Sequence, residues 1–168
     1  MKKLVMFAAV AVMSLVASAT NCKWGLGSGG TFSGVSTGTA YLVYGTIPAS
    51  ISGSSFSEGT ITAAGGQVLD SGAIADSFFS NLAGTSLTPT STGLDKGNKS
   101  VYMVAISSDG KKMLVSNSTK TLNLQASALS STIQWNGTDF TAYPVPEPTS
   151  ALLMVLGVAG LALKRKRA

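Results

Sequence analysis

The sequence predicts a mainly β fold, an antiparallel β-sandwich or curled sheet with one short α-helix. An N-terminal signal helix and a C-terminal transmembrane helix flank it. Three observations predict the β body. Ala40-Tyr41-Leu42-Val43-Tyr44 and Val101-Tyr102-Met103-Val104-Ala105-Ile106 are β-branched and aromatic runs of strand length. Asp109-Gly110 stands between two such runs, as a hairpin turn does. Gly-, Ser- and Thr-rich segments separate the runs, as loops separate short strands.

In chain order, residues 25–39 are Gly-, Ser- and Thr-rich and predict a mobile start with a short strand near residues 31–36. In 40–44 nearly every position is apolar, so both faces of that strand are expected to be covered. Pro48, Gly59, Gly65 and Gly66 make 48–66 a loop, with a short strand at Thr60–Ala63. Ile74, Phe78 and Leu82 then recur every four residues, which predicts an amphipathic helix over 70–83. Asp70 or Ser71 caps it and Gly84 ends it. Pro89, Gly93 and Gly97 make 84–99 loop. Residues 101–106 and 112–116 form a hairpin closed by a two-residue type I′ turn at Asp109-Gly110. Thr121–Gln125 alternates like a half-exposed strand, and Thr132–Trp135 and Phe140–Tyr143 close the sheet.

The ends follow a different logic. Lys2 and Lys3 precede an apolar run, Leu4–Val16, of about 13 residues. Ala17-Ser18-Ala19 follows, a small-residue site with Ala17 and Ala19 at the cleavage positions. Residues 1–19 therefore predict a secretory signal peptide, cut by signal peptidase. At the other end, Ala151–Leu163 is apolar, within a transmembrane helix predicted over 150–163, and Lys164-Arg165-Lys166-Arg167 follow at once. The run is shorter than the ~20 residues of a comfortable span, and four cations hold its end on the cytoplasmic side. Residues 20–143 remain as one extracytoplasmic domain, long enough to bury a core.

Charge excludes one class of partner. The net charge of +5 comes from the ends, where Lys2, Lys3 and residues 164–167 supply six cations. The body balances six lysines against six carboxylates and has no arginine. It lacks the basic footprint that nucleic acid needs.

Between domain and apolar run stands Val145-Pro146-Glu147-Pro148. Proline fixes φ, removes a donor and pushes the residue before it to extended geometry, so this stretch is stiff and unpaired. Pro-Glu-Pro, short apolar helix and terminal basic cluster, in that order over 145–168, resemble the PEP-CTERM sorting signal. The resemblance implies recognition of Val145, Pro146, Glu147 and Pro148 by an exosortase, a membrane protease. It implies transit through the inner membrane and a membrane-anchored intermediate. The protein then reaches the cell surface or extracellular matrix, where exopolysaccharide is the candidate partner. The bodies of such proteins vary widely, so the resemblance implies a route and no chemistry.

The body offers little catalytic material. Histidine is absent, which removes His-based triads and most zinc sites, and no metal or cofactor is expected. Cys22 is the one cysteine, so no intramolecular disulfide forms. Gly25–Gly30 fits G-x-G-x-x-G, but the following residues are not helical, so the match reads as composition. Ser108–Lys111 fits S-x-x-K, but on a hairpin turn rather than a helix. Asp70 and Asp76 would fall on different faces of the predicted helix, against a carboxylate-dependent hydrolase. The leading expectation is a noncatalytic surface protein. The alternative is a carbohydrate-binding module, with Trp24 and Trp135 as stacking platforms rather than the core positions that aromatics in strands more often take.

Overall fold

Successive side chains of a strand point to opposite faces, so a strand that is apolar at every position must lie between two covered faces. That is where the computed structural model, which describes residues 20–125 and 130–145, puts the two central runs. Nine strands and two short helices are described. They are β1 (Thr20–Leu26), β2 (Gly38–Tyr44), α1 (Glu58–Ala63), β3 (Gln67–Ile74), β4 (Ser80–Leu87), α2 (Pro89–Thr92), β5 (Gly97–Ser107), β6 (Lys112–Ser116), β7 (Lys120–Leu124), β8 (Ser130–Trp135) and β9 (Phe140–Pro144). The predicted signal peptide with Ala17 and Ala19, the Pro146-Glu147-Pro148 tripeptide, the predicted transmembrane helix 150–163 and the cations Lys164, Arg165, Lys166 and Arg167 lie outside the described residues. Among the described residues, no helix is long and apolar enough to cross a membrane.

The strands form two facing sheets. The smaller has the order β4-β1-β8, and the larger runs β3-β2-β5-β6-β9 with β7 also on β5. The sheets pack on a shared core of Cys22, Trp24, Leu26, Ile133 and Trp135 from one side and Leu42, Met103, Ala105, Leu114 and Leu124 from the other. The opposite face of the large sheet carries Val43, Tyr102, Val104, Ile106, Met113 and Val115, covered by Phe56 and by Ile61 of α1. The 45–66 segment is thus a third layer, which explains the continuous apolar runs of β2 and β5.

β6 and β7 lie end to end along one side of β5. β6 pairs with Val104–Ile106 and β7 with Gly97–Val101. Ser116 fills the break between them. Its hydroxyl accepts from the Met103 N–H at 3.1 Å and donates to the Ser118 carbonyl at 3.1 Å. Trp135 Nε1 donates to the same carbonyl at 3.2 Å. A buried amide that has lost its ladder partner is satisfied by a side chain instead.

Several sequence expectations are corrected. Residues 70–83 form no helix. They make the end of β3, a turn at Asp76-Ser77, and the start of β4. Ala75 and Phe78 exchange backbone bonds of 3.1 and 2.8 Å across that turn, with φ of 48° at Asp76 and 62° at Ser77. These are type I′ values, and they carry the chain from the large sheet to the small one. The four-residue periodicity was a coincidence of two strands: Ile74 is buried, but Phe78 and Leu82 are 40% and 74% exposed. Phe79 turns inward instead, its ring against Gly72, where a Cβ would lie 2.3 Å from the ring edge.

Asp109-Gly110 turns the β5–β6 hairpin, but not as a two-residue type I′ loop. The connection runs from Ser108 to Lys111, and of the pair Gly110 alone has positive φ. The Asp109 carboxylate accepts from the Ser107 hydroxyl at 2.6 Å and the Lys111 N–H at 3.0 Å. Those two bonds, the Ser107 hydroxyl first, hold its pKa below the ordinary value.

Residues 60–63 belong to α1 rather than a strand: the Ser57 N–H donates to the Thr60 hydroxyl at 3.1 Å, and the Thr60 N–H donates to the Ser57 carbonyl at 3.0 Å, at the start of the helix. Residues 31–36 form no strand, although Phe32 and Val35 plug the core. Residues 84–99 are not simply loop, since they hold the end of β4, α2 and the start of β5. The sandwich is not wholly antiparallel either. β1, absent from the sequence expectation, is the central strand of the small sheet and runs parallel to β8.

Candidate functional site

The predicted sorting stretch begins where β9 ends. β9 is the edge strand of the large sheet and pairs with β6 from Ser116↔Phe140 to Lys112↔Pro144. The Val145 N–H then donates to the Lys111 carbonyl at 3.0 Å. Val145 and Tyr143 pack against the outer cluster on that sheet. Amides alternate in direction along a strand, so if Val145 donates inward, the missing N–H of Pro144 falls on the open edge. A proline there costs no ladder bond and leaves that point of the edge without a donor for a passing strand. Val145 is thus held by the fold, whereas Pro146, Glu147 and Pro148 lie outside the described residues.

A second polar assembly joins the sheets. Asp70 on β3 accepts three bonds at Oδ2. Trp24 Nε1 of β1 donates at 2.6 Å, Asn81 Nδ2 of β4 at 3.0 Å, and the Thr85 hydroxyl of β4 completes the set. Asn81 Oδ1 in turn accepts from the Gly84 N–H at 2.8 Å, which shapes the irregular stretch of β4 opposite Lys23. The residues come from three strands and two sheets, so no spacing in the sequence signalled them. Oδ2 is filled by structural donors, and the assembly reads as a rivet between layers.

Cys22 sits beside it, fully buried. Burial first, then the Asp70 charge, push its thiol from 9.0 up to about 12. A thiol in that state is neutral at physiological pH and a poor nucleophile. Iodoacetamide at pH 8 is expected to leave native protein unmodified and to alkylate Cys22 once urea unfolds the chain. Rapid modification of native protein would contradict this burial. The sign of the linkage is also set. A raised folded pKa means the contribution to stability is whole below pH 9 and is lost as the pH climbs toward 12.

The other sequence candidates are placed as follows. Trp24 and Trp135, read from the sequence as core with a stacking platform as the alternative, are 2% and 1% exposed. Trp24 stacks obliquely on Phe79 with centroids 4.5 Å apart. A ring covered on both faces by protein has no face for a sugar, so the platform alternative is corrected: both are core. Asp76 is exposed on its turn, while Asp70 faces the sheet interface. Gly25–Gly30 begins in the last two residues of β1 and leads into a helix-free loop, as expected of a compositional match. Among the described residues no three Cys, Asp or Glu side chains gather as metal ligands.

No curated protein and no solved structure matches the chain. A family model does match: the PEP-CTERM protein-sorting motif, over residues 144–167. Its first two residues, Pro144 and Val145, are the last two of the folded edge described above. The chain thus carries at residues 144–167 a PEP-CTERM protein-sorting motif, which implies export, a membrane-anchored intermediate, and processing by an exosortase.

Proposed function

We propose that this protein is a noncatalytic β-sandwich that an exosortase delivers to the cell surface or extracellular matrix. One observation carries the reading: the sorting motif starts in the last residues of a complete sandwich. The domain is therefore finished where the route signal begins, and the body is cargo rather than part of the sorting machinery. Signal peptidase removes residues 1–19, and the exosortase recognises Val145, Pro146, Glu147 and Pro148. The neutral body supports a non-nucleic-acid role. The occupied Asp70 Oδ2 and the protonated Cys22 support a structural rather than a hydrolytic use of the two groups nearest the core.

The test is the mature protein itself. Mass spectrometry of material from a host with an exosortase is expected to show a chain beginning at Thr20 and lacking the basic tail. Replacing Pro146, Glu147 and Pro148 together by alanine is expected to leave the tail uncut and the protein in the membrane fraction. A soluble cytosolic species still carrying Met1 would sink the reading.

A further inference from the structure

We propose that the cleft between the β1–β2 loop and the β8–β9 turn binds a neutral saccharide. This deepens the reading above by naming a ligand class for a protein outside the cytoplasm. The cleft has a volume of about 650 Å³, within the ordinary range for small-ligand sites. Its walls are pre-formed. The Gly27 N–H donates to the Trp135 carbonyl at 2.9 Å. Gly137 lies so close to the loop that a Cβ there would be 2.2 Å from the Thr31 carbonyl. Asp139 fixes the turn: its carboxylate accepts from the Asn136 N–H at 3.1 Å and its own N–H donates to the Asn136 carbonyl at 3.0 Å.

The lining selects the ligand. The side chains that line it are Ser28, Thr31, Ser33, Asn136, Thr138 and Phe140, and none of them carries a charge. An anion would find no cation in the lining, and a cation would find no carboxylate. A purely apolar ligand would strip water from four hydroxyls and an amide without replacing it. A sugar meets both parts of the lining. Its C–H face suits an aromatic ring, and its hydroxyls exchange bonds with neutral donors and acceptors. Phe140 is the partly exposed ring, held in an edge-to-face contact by buried Phe32 with centroids 5.3 Å apart. Phe140 is the aromatic residue of the lining, in place of Trp24 and Trp135, which the sequence offered as the alternative to core. Phe140 opens β9 and Pro144 closes it. The cleft and the sorting stretch thus lie at opposite ends of one strand, about 15 Å apart, and a bound sugar would leave the motif free.

Binding is measured on the full chain in detergent, so that its outcome does not depend on sorting. The probes are neutral gluco-, manno- and galacto-oligosaccharides, with oligogalacturonate as the acidic comparison, followed by titration calorimetry. At least one neutral probe is expected to bind, at micromolar to millimolar Kd. Ser28→Trp, at an exposed position, fills the cleft and is expected to weaken binding at least about tenfold. Asn136→Ala keeps the backbone bonds of the turn and is expected to weaken it several-fold, with the circular dichroism spectrum unchanged in both variants. The proposal is overturned if no neutral probe binds at about 10 mM, if the acidic probe alone binds, or if Ser28→Trp binds as tightly as the parent. Failed sorting with intact sugar binding would overturn the route and leave the cleft standing.

Discussion

Trp24→Ala is expected to lower the melting temperature of the domain by roughly 10–20 °C, from a loss of about 3–5 kcal/mol. The side chain is among the largest fully buried groups and lies in the centre of the inter-sheet core. Removing it leaves a void that the two sheets, tied by their own ladders, cannot close. It also takes one of three donors from Asp70 Oδ2. Since a domain of this size is stable by about 5–15 kcal/mol, the loss is a large share of the total. Trp24→Phe separates the two contributions. It keeps most of the ring volume and removes the N–H donor, and is expected to cost about 1.5–3 kcal/mol, the range for hydrogen bonds to charged groups. Thermal unfolding followed by circular dichroism decides between them. Equal melting of parent and both variants would show that the rivet carries no weight.

Gly38→Ala is the second large effect, expected to cost at least about 2 kcal/mol. Gly38 opens β2 at φ 153° between Ile74 and Ser107. A Cβ there would stand 1.9 Å from the Ile106 carbonyl oxygen, which is backbone and cannot rotate aside. The variant must therefore push β2 away from β5 at the centre of the large sheet. Gly93→Ala is the control. Gly93 also has positive φ, 66°, at the C-cap of α2, yet nothing lies within 4 Å of its Cβ position. It is expected to cost only the roughly 1–2 kcal/mol of the left-handed conformation. Denaturant midpoints for the pair test the difference. If Gly93→Ala proved the more damaging, the close approach of β2 and β5 would be wrong.

The strands that the sequence made legible share a property: their signal is local. β5 and β6 are apolar runs on either side of an Asp-Gly pair, and β7 alternates between exposed and buried positions. The misread segments depend on partners far away. β1 contains Asn21, Lys23 and Gly25 and has weak strand propensity, yet β4 and β8 flank it on both sides. Over 70–83, helix and hairpin patterns competed. An isolated helix of that length is marginal in water, so tertiary packing decides. Here β2 offered a ladder to β3, β1 offered one to β4, and the Asp76-Ser77 turn let the chain take both. The cleft proposed to take a saccharide was equally illegible. Its two walls are about a hundred residues apart, and the glycines of the first looked like mere composition.

The sequence by itself determined the route. A sorting motif is read by an enzyme as a linear stretch, so residue order within 144–167 is sufficient to identify it. It also determined that the body is β-rich, because β-branched and aromatic runs between turn residues need no long-range information. Tertiary structure alone decided which side chains face each other. It buried Trp24 and Trp135, gathered Asp70, Asn81 and Thr85 from two sheets, and left Phe140 at the rim of a cleft. The physical reason is that burial and hydrogen bonding are properties of pairs brought together by folding, and local propensity does not say which pairs will meet.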